Sequence, residues 1–302
     1  DMPTEIALLP IVESAFQAFA YSPGSASGIW QFIPATAKRY GLEMNWWYDG
    51  RRDIYASTIA ALEFLLDLQD HYDGDWLLAL AAYNSGQGTV DRAIRRNLKA
   101  GKRTHFWALQ LPKETRDYVP KLLAIATIVA EPKAFNILLK PIPARPFFEQ
   151  AYTNGQLDLA LAAELADISV EELFALNPAF NRWATAPQGP HYLLLPRTKV
   201  DKFRENLAAL DPRHRIQWKR HRVAPGETLK RIADRHHTTV NLLKEVNQLD
   251  APDVEAHDII IIPKTNKALS GGVLTAALRK KRLEDSERGG EKIQHIVQRG
   301  DT

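Results

Sequence analysis

Residues 157–178 (LDLALAAELADISVEELFALNP) and 227–248 (ETLKRIADRHHTTVNLLKEVNQ) superpose at an offset of 70, matching at Leu159/Leu229, Ala163/Ala233, Val170/Val240, Leu173/Leu243 and Asn177/Asn247. Each stretch is followed by an apolar run ending in proline, YLLLPRT at 192–198 and IIIIPKT at 259–265, after a connection three residues shorter in the second copy. The repeated unit therefore reads as strand, helix, helix, strand in about 45 to 50 residues. A third copy starts at the end of the chain, where IQHIVQRGDT mirrors KRHRVAPGET and pairs His295 with His221, Val297 with Val223 and Gly300 with Gly226. A chain with such repeats cannot be one core.

The region before the repeats has a different texture. DIYASTIAALEFLLDLQDHY places Ile54, Thr58, Ala61, Leu62, Leu65, Leu66 and Gln69 on one mostly apolar helical stripe. In the next stretch Gly74 ends one helix, Asp75 caps another and Gly86 ends that, and ETRDYVPKLLAIATIVA supplies a further long helix. With no alternating strand pattern over 1–140, this part reads as all-α. KPIPARP at 140–146 holds three prolines in seven residues and reads as a linker. The expected organisation is a helical domain at 1–140, a first repeat at 147–200, a second at 219–265, a charged, glycine-flanked linker at 266–292 and a truncated third repeat at 293–302. The fold class is multidomain, all-α followed by small α+β modules.

Composition excludes several functions. The chain has 302 residues and no cysteine, which removes disulfides, thiol nucleophiles and thiolate metal sites. A net charge of +3 suits a polyanionic surface without demanding nucleic acid. The basic runs around Arg92, Arg95 and Arg96 and at 279–282 lack the interleaved aromatics of a nucleic-acid surface and read as solvated faces. No run approaches the ~20 apolar residues of a membrane span; the longest is LLAIATIVA at 122–130. The abrupt start at Asp1 and stop at RGDT suggest an excised fragment, from which any targeting or lipid-anchoring segment would be missing. Asp67, Asp70, Asp73 and Asp75 cluster near Gly74 but do not complete a calcium-loop pattern, and no H-E-x-x-H zinc pattern or phosphate-cradling glycine loop occurs. No metal and no cofactor are expected.

One acid, Glu13, stands alone in the apolar run PIVESAF. On a continuous helix bent at Pro10 it would share a face with Ile6 and Leu9, where poor solvation raises a carboxyl's pKa and lets it hold a proton near neutrality. The competing reading, a helix-end Glu that reaches water or pairs with an Arg such as Arg51, is equally compatible with this helix alone.

Four motifs in order break the tie: ES (Glu13, Ser14), GIWQ (Gly28–Gln31), AYNSGQG (Ala82–Gly88) and Tyr118 of ETRDYVPK. Together they make residues 3 to about 130 resemble the soluble-lytic-transglycosylase family of lytic murein transglycosylases, relatives of the goose-type lysozymes. The repeats are similar to LysM modules; the second has GET, Asn247 and Pro263 in place, while the first departs from the pattern at YTNGQLD. The resemblance implies a lysozyme-like catalytic fold with Glu13 as the catalytic acid and then base, and with Ser22, Gly28, Gln31, Tyr83, Asn84 and Tyr118 binding sugar. On periodicity alone Tyr83 and Tyr118 would be core residues and Gly28 a turn glycine. Trp30 stays open between sugar platform and core anchor.

A glycosidase ordinarily uses two carboxyls, and no second acid is expected from the four motifs: Glu5 lies well round the first helix from Glu13, and Asp49, Asp53 and Glu63 read as caps and solvated faces. The resemblance accounts for this: the muramic acid acetamido group and C6 hydroxyl of peptidoglycan replace water, giving a 1,6-anhydro end. The implied partner is the peptidoglycan glycan strand, the implied location the bacterial periplasm, and a monomer is expected. A hydrolysing goose-type muramidase and a non-catalytic wall-binding protein are the alternatives.

Overall fold

The computed structural model describes residues 2–263 apart from 217, 237–239, 241–242, 245–246, 248, 250 and 252. The expected linker at 266–292 and the truncated third repeat lie outside the described residues.

The first region is helical around a central apolar rod. Its helices are α1 (Leu9–Ser14), α2 (Pro34–Arg39), α3 (Ile54–His71), α4 (Trp76–Ser85), α5 (Gln87–Lys99) and α6 (Lys113–Ala130). Helix α4 is apolar on every side, with Leu78, Ala79, Leu80, Ala81 and Ala82 buried, so it must sit in the middle. It packs against α3, α5 and α6. Asp75 caps it through the amides of Leu77 and Leu78, and Gly86, at φ 83°, ends it, as the sequence indicates. Arg92, Arg95 and Arg96 lie on the exposed face of α5.

Two local expectations change. The segment before Glu13 is not one bent helix: Thr4–Leu8 is a 3₁₀ turn, and Pro10 sits in the first turn of α1, where its missing N–H costs nothing. On α3 the buried face is Ser57, Ala60, Ala61, Leu65 and Leu68, while Leu66 is exposed. Asp53 caps α3 through the Ala56 amide, and the helix packs against α4.

The first repeat folds as the periodicity predicts, and the described part of the second follows the same plan. In the first, β1 (Phe148–Tyr152) pairs antiparallel with β2 (Tyr192–Pro196), enclosing α7 (Leu159–Ala166) and α8 (Val170–Leu176). A helix beyond the expected boundary at 200, α9 (Val200–Ala209), packs on α7 and β1 through Val200, Phe203 and Leu207. In the second, β3 (Trp218–Arg222) pairs with β4 (Ile259–Pro263), with α10 (Leu229–Arg235) following β3. The shared asparagine shows why the copies match. The Asn177 amide donates to Leu173 O and Leu194 O and accepts from Leu194 N, all at 2.8 Å. Asn247 does the same with Leu243 O, Ile261 O and Ile261 N at 2.8, 2.9 and 2.6 Å. Each asparagine ties the residue four positions before it to its module's last strand.

The helical region and the first module share a junction. Tyr48 is 3% exposed within the module's own core, its ring 5.4 Å from Phe180, and Trp46 and Trp47 pack against Trp183. Among the described residues no helix is long and apolar enough to cross a membrane.

Candidate active site

Glu13 lies one residue from the C-terminal end of α1, where the chain turns sharply through left-handed Ala15 and Phe16 (φ 50° and 57°). The turn is held by Ser14, whose hydroxyl lies 3.2 Å from Pro10 O and 3.0 Å from Ile29 O and so ties the helix end to the GIWQ loop. Ser14 therefore positions its neighbour from behind the groove.

The loop at 17–33 is irregular but fully cross-braced. The Ser22 and Ala26 amides donate to Ala26 O at 2.9 Å and Ser22 Oγ at 3.0 Å respectively, and the Gly28 amide donates to Ala20 O at 3.1 Å. The Gln31 side-chain amide donates to Gly28 O at 2.7 Å and Ala20 O at 3.3 Å, and Gln31 itself is left-handed at φ 48°. These bonds leave the Ser22 O–H and the Gln31 Oε1 for a ligand. Trp30 is a core anchor: it is 4% exposed and its indole N–H donates to Thr58 Oγ1 at 2.8 Å.

A groove of about 540 Å³ opens beside this loop and is lined by Glu13, Ser22, Gln31, Tyr83, Asn84 and Tyr118. Six of the seven sequence-expected site residues thus meet in one place. The seventh, Gly28, does not line it. Its φ is +83° and a Cβ there would stand 1.8 Å from Arg51 O, so the glycine makes room for backbone, not for sugar. The Arg51 pairing considered for Glu13 is also absent, because Arg51 is engaged by Asp49 in a two-pronged contact at 2.9 and 2.8 Å.

The electrostatics single out Glu13. Burial, countered by a hydrogen bond from Tyr118 and assisted by the nearby charge of Glu114, pushes its carboxyl up to about 7. The Tyr118 hydroxyl donates to Glu13 Oε1, leaving the other oxygen to carry the proton. Burial drives the Tyr118 and Tyr83 phenols well above their usual range, so both remain donors. Tyr83 spends its proton on Trp30 O at 2.8 Å, bracing the loop from the opposite wall. Asn84 accepts from Thr115 Oγ1 at 2.8 Å and donates to Glu114 Oε1 at 3.4 Å.

Among the groove-lining residues not expected from the sequence are two charged ones, Glu114 and Lys121, and Glu114 corrects the expectation that the four motifs hold no second acid, since it opens ETRDYVPK. It is exposed, sits in the first turn of α6 and faces the same groove as Glu13. A signal existed: it stands four residues before Tyr118, one helical turn away on the same face.

The transglycosylase SLT domain model matches residues 1–106, the LysM-like domain of lytic transglycosylase MltD matches 148–212, and the LysM domain matches 221–263. The membrane-bound lytic murein transglycosylase D of Escherichia coli K12 is 36% identical over 312 residues, covering 100% of this chain and 66% of the relative. A protein of Alteromonas sp. M-1 named for tributyltin chloride resistance is 42% identical over 140 residues, 46% of this chain and 67% of its own. Among solved structures, the lytic transglycosylase Slt of Pseudomonas aeruginosa aligns at a TM-score of 0.32 and 23% identity over 44% of this chain and 22% of that one.

Fold and matches define the class, a lysozyme-like transglycosylase SLT domain followed by LysM modules. The chain belongs to the family of lytic murein transglycosylases built in that order. It spans 66% of the length of the E. coli relative.

Proposed function

We propose that this chain cleaves the glycan strands of peptidoglycan between N-acetylmuramic acid and N-acetylglucosamine without using water, in the bacterial periplasm, while its modules retain it on the polymer. The observation that carries the reading is Glu13, a carboxyl pushed up to about 7 on the wall of a sugar-sized groove and oriented by a tyrosine hydroxyl. Neutral Glu13 gives its proton to the glycosidic oxygen as the bond to the muramic C1 breaks. The 2-acetamido oxygen supports the resulting cation. The carboxylate then takes the C6 hydroxyl proton as O6 bonds to C1, and the enzyme returns to its starting state with one group serving as acid and base.

Glu114 favours a second reading. An exposed carboxylate in the same groove is where a water-activating base of an inverting hydrolase would stand. Two measurements separate the readings. Mass spectrometry of digested sacculi gives anhydro ends under the proposal and products one water heavier under hydrolysis. Glu13→Gln loses cleavage by about 10²- to 10⁴-fold under both, but Glu114→Gln keeps most of it under the proposal and loses it under hydrolysis. Because Glu13 must start protonated, cleavage falls as pH rises above about 7. Glu114→Gln removes a charge that raises Glu13, so that falling limb moves to lower pH.

A further inference from the structure

In the loop between α8 and β2, residues 177–191, the stretch 179–181 bonds to the helical region. The Asp49 amide donates to Ala179 O at 2.9 Å, the Asn181 amide to Trp47 O at 2.7 Å, and the Asn181 side chain to Asn45 O at 3.0 Å. The Arg52 guanidinium donates to Asn181 Oδ1 and reaches Ala179 O at 3.4 Å. Just beyond the loop, Tyr192 OH donates at 2.7 Å to Asp53 Oδ2, which also accepts from Tyr48 at 2.6 Å. The corresponding stretch of the second module shows only internal bonds among the described residues, such as His257 N to Val223 O and Glu255 N to Asp258 Oδ2.

The other side of the same short segment, 45–53, holds the groove loop. The Arg51 guanidinium donates to Ser25 O at 2.7 Å, its carbonyl fills the space that Gly28 leaves open, and Arg52 lies over the Phe19 ring at 5.8 Å. That loop contains left-handed Ser25, Gly28 and Gln31, at φ 65°, 83° and 48°. Backbone of this kind persists only where its surroundings over-determine it.

We infer that the first LysM-like module is a positioning element of the cleavage site: through Asn181 and Tyr192 it clamps Arg52 and Asp53, and through them it holds the loop that presents Ser22 and Gln31. The inference rests on the proposed cleavage reading, and it assigns this module a task other than gripping glycan. A short substrate that fills only the groove should therefore feel changes made in the module.

The test uses the full chain with Tyr192→Phe, Asn181→Ala and the double variant, whose two sites reach different atoms of the clamp. Turnover of a soluble muramoyl-glucosaminyl tetrasaccharide is expected to fall about tenfold in the double variant, chiefly in kcat. Co-sedimentation with sacculi should stay unchanged, and amide hydrogen exchange in 19–31 should quicken. The inference is overturned if tetrasaccharide turnover is unaltered while co-sedimentation weakens, which is how a gripping module behaves. Should the double variant fail to fold, Tyr192→Phe, which removes one hydroxyl, decides through exchange in 19–31: unaltered exchange there overturns the clamp. That readout needs no turnover, so it stands apart from any failure of the cleavage proposal, which Glu13→Gln and the unmutated chain report.

Discussion

In the first module Ala151, Leu157 and Leu165 occupy the positions at which the second carries His221, Glu227 and Arg235. Ala151 and Leu157 are fully buried, in a core that also takes in Tyr48 from the helical region. In the second, the Glu227 carboxylate is 2.7 Å from His221 Nε2 and 2.7 Å from Arg235, and accepts from Ala224 N at 3.0 Å. One plan is thus filled in two ways. The docked copy borrows apolar surface from its neighbour and keeps apolar side chains at these three positions. The other has a smaller apolar cluster around Val223, Leu229, Ile232 and Leu243 and adds a polar clasp. The difference teaches that a module's interior follows its neighbours as well as its backbone plan.

The strongest attempt to break that comparison is to exchange the fillings. Leu157→Glu puts an acid at a fully buried site with no histidine or arginine waiting for it, and should cost about 3–5 kcal/mol in a denaturant titration. If the loss is under about 1 kcal/mol, the two interiors are interchangeable and the contrast fails. Asn177→Ala and Asn247→Ala come next. Each removes the same three bonds, so each module should lose about 2–3 kcal/mol. A cost confined to one of them would show that the shared geometry hides unequal roles.

The smallest effect expected is a pair of opposite pH trends. In the first module burial raises Asp158, the cap of α7, to about 6 against an ordinary 3.8. Its contribution is therefore complete below 3.8 and lost as pH rises through about 6, so this module firms on acidification. In the second, the Ala224 N–H and then His221 hold Glu227 below its ordinary 4.5, so its contribution is present above 4.5 and lost as pH falls through the lower folded value. Hydrogen exchange or denaturation midpoints, read separately for each module between pH 7 and 3, check both signs. Asp158→Asn should flatten the first trend and leave the second untouched.

Much of this was legible in the sequence because it is local or periodic. The offset of 70 reports the paired asparagines, and Gly74, Asp75 and Gly86 report helix ends, since each of these depends on residues within one turn. The groove residues were legible as an ordered set of motifs. What was hidden depends on distance. The Arg52 to Asn181 contact joins residues 129 apart, and nothing in the periodicity of WWYDGRRD announces it. The conformational freedom of Gly28 can be read from the sequence but its neighbour cannot, because the chain that crowds it, Arg51, comes from another loop. Pro10 suggests a bend in one helix because periodicity alone does not reveal that a 3₁₀ turn ends just before it.

The strap at 137–147 has one further consequence. It is largely exposed and without regular secondary structure, while α6 precedes it and β1 follows it. Its prolines and open backbone make it a natural place for a protease to enter. A nick there would not part the two halves, because the edge-on and tilted tryptophan contacts and the hydrogen bonds around Asp53 bridge the gap by another route. The cut chain would travel as a single species through a gel-filtration column and separate only in denaturant.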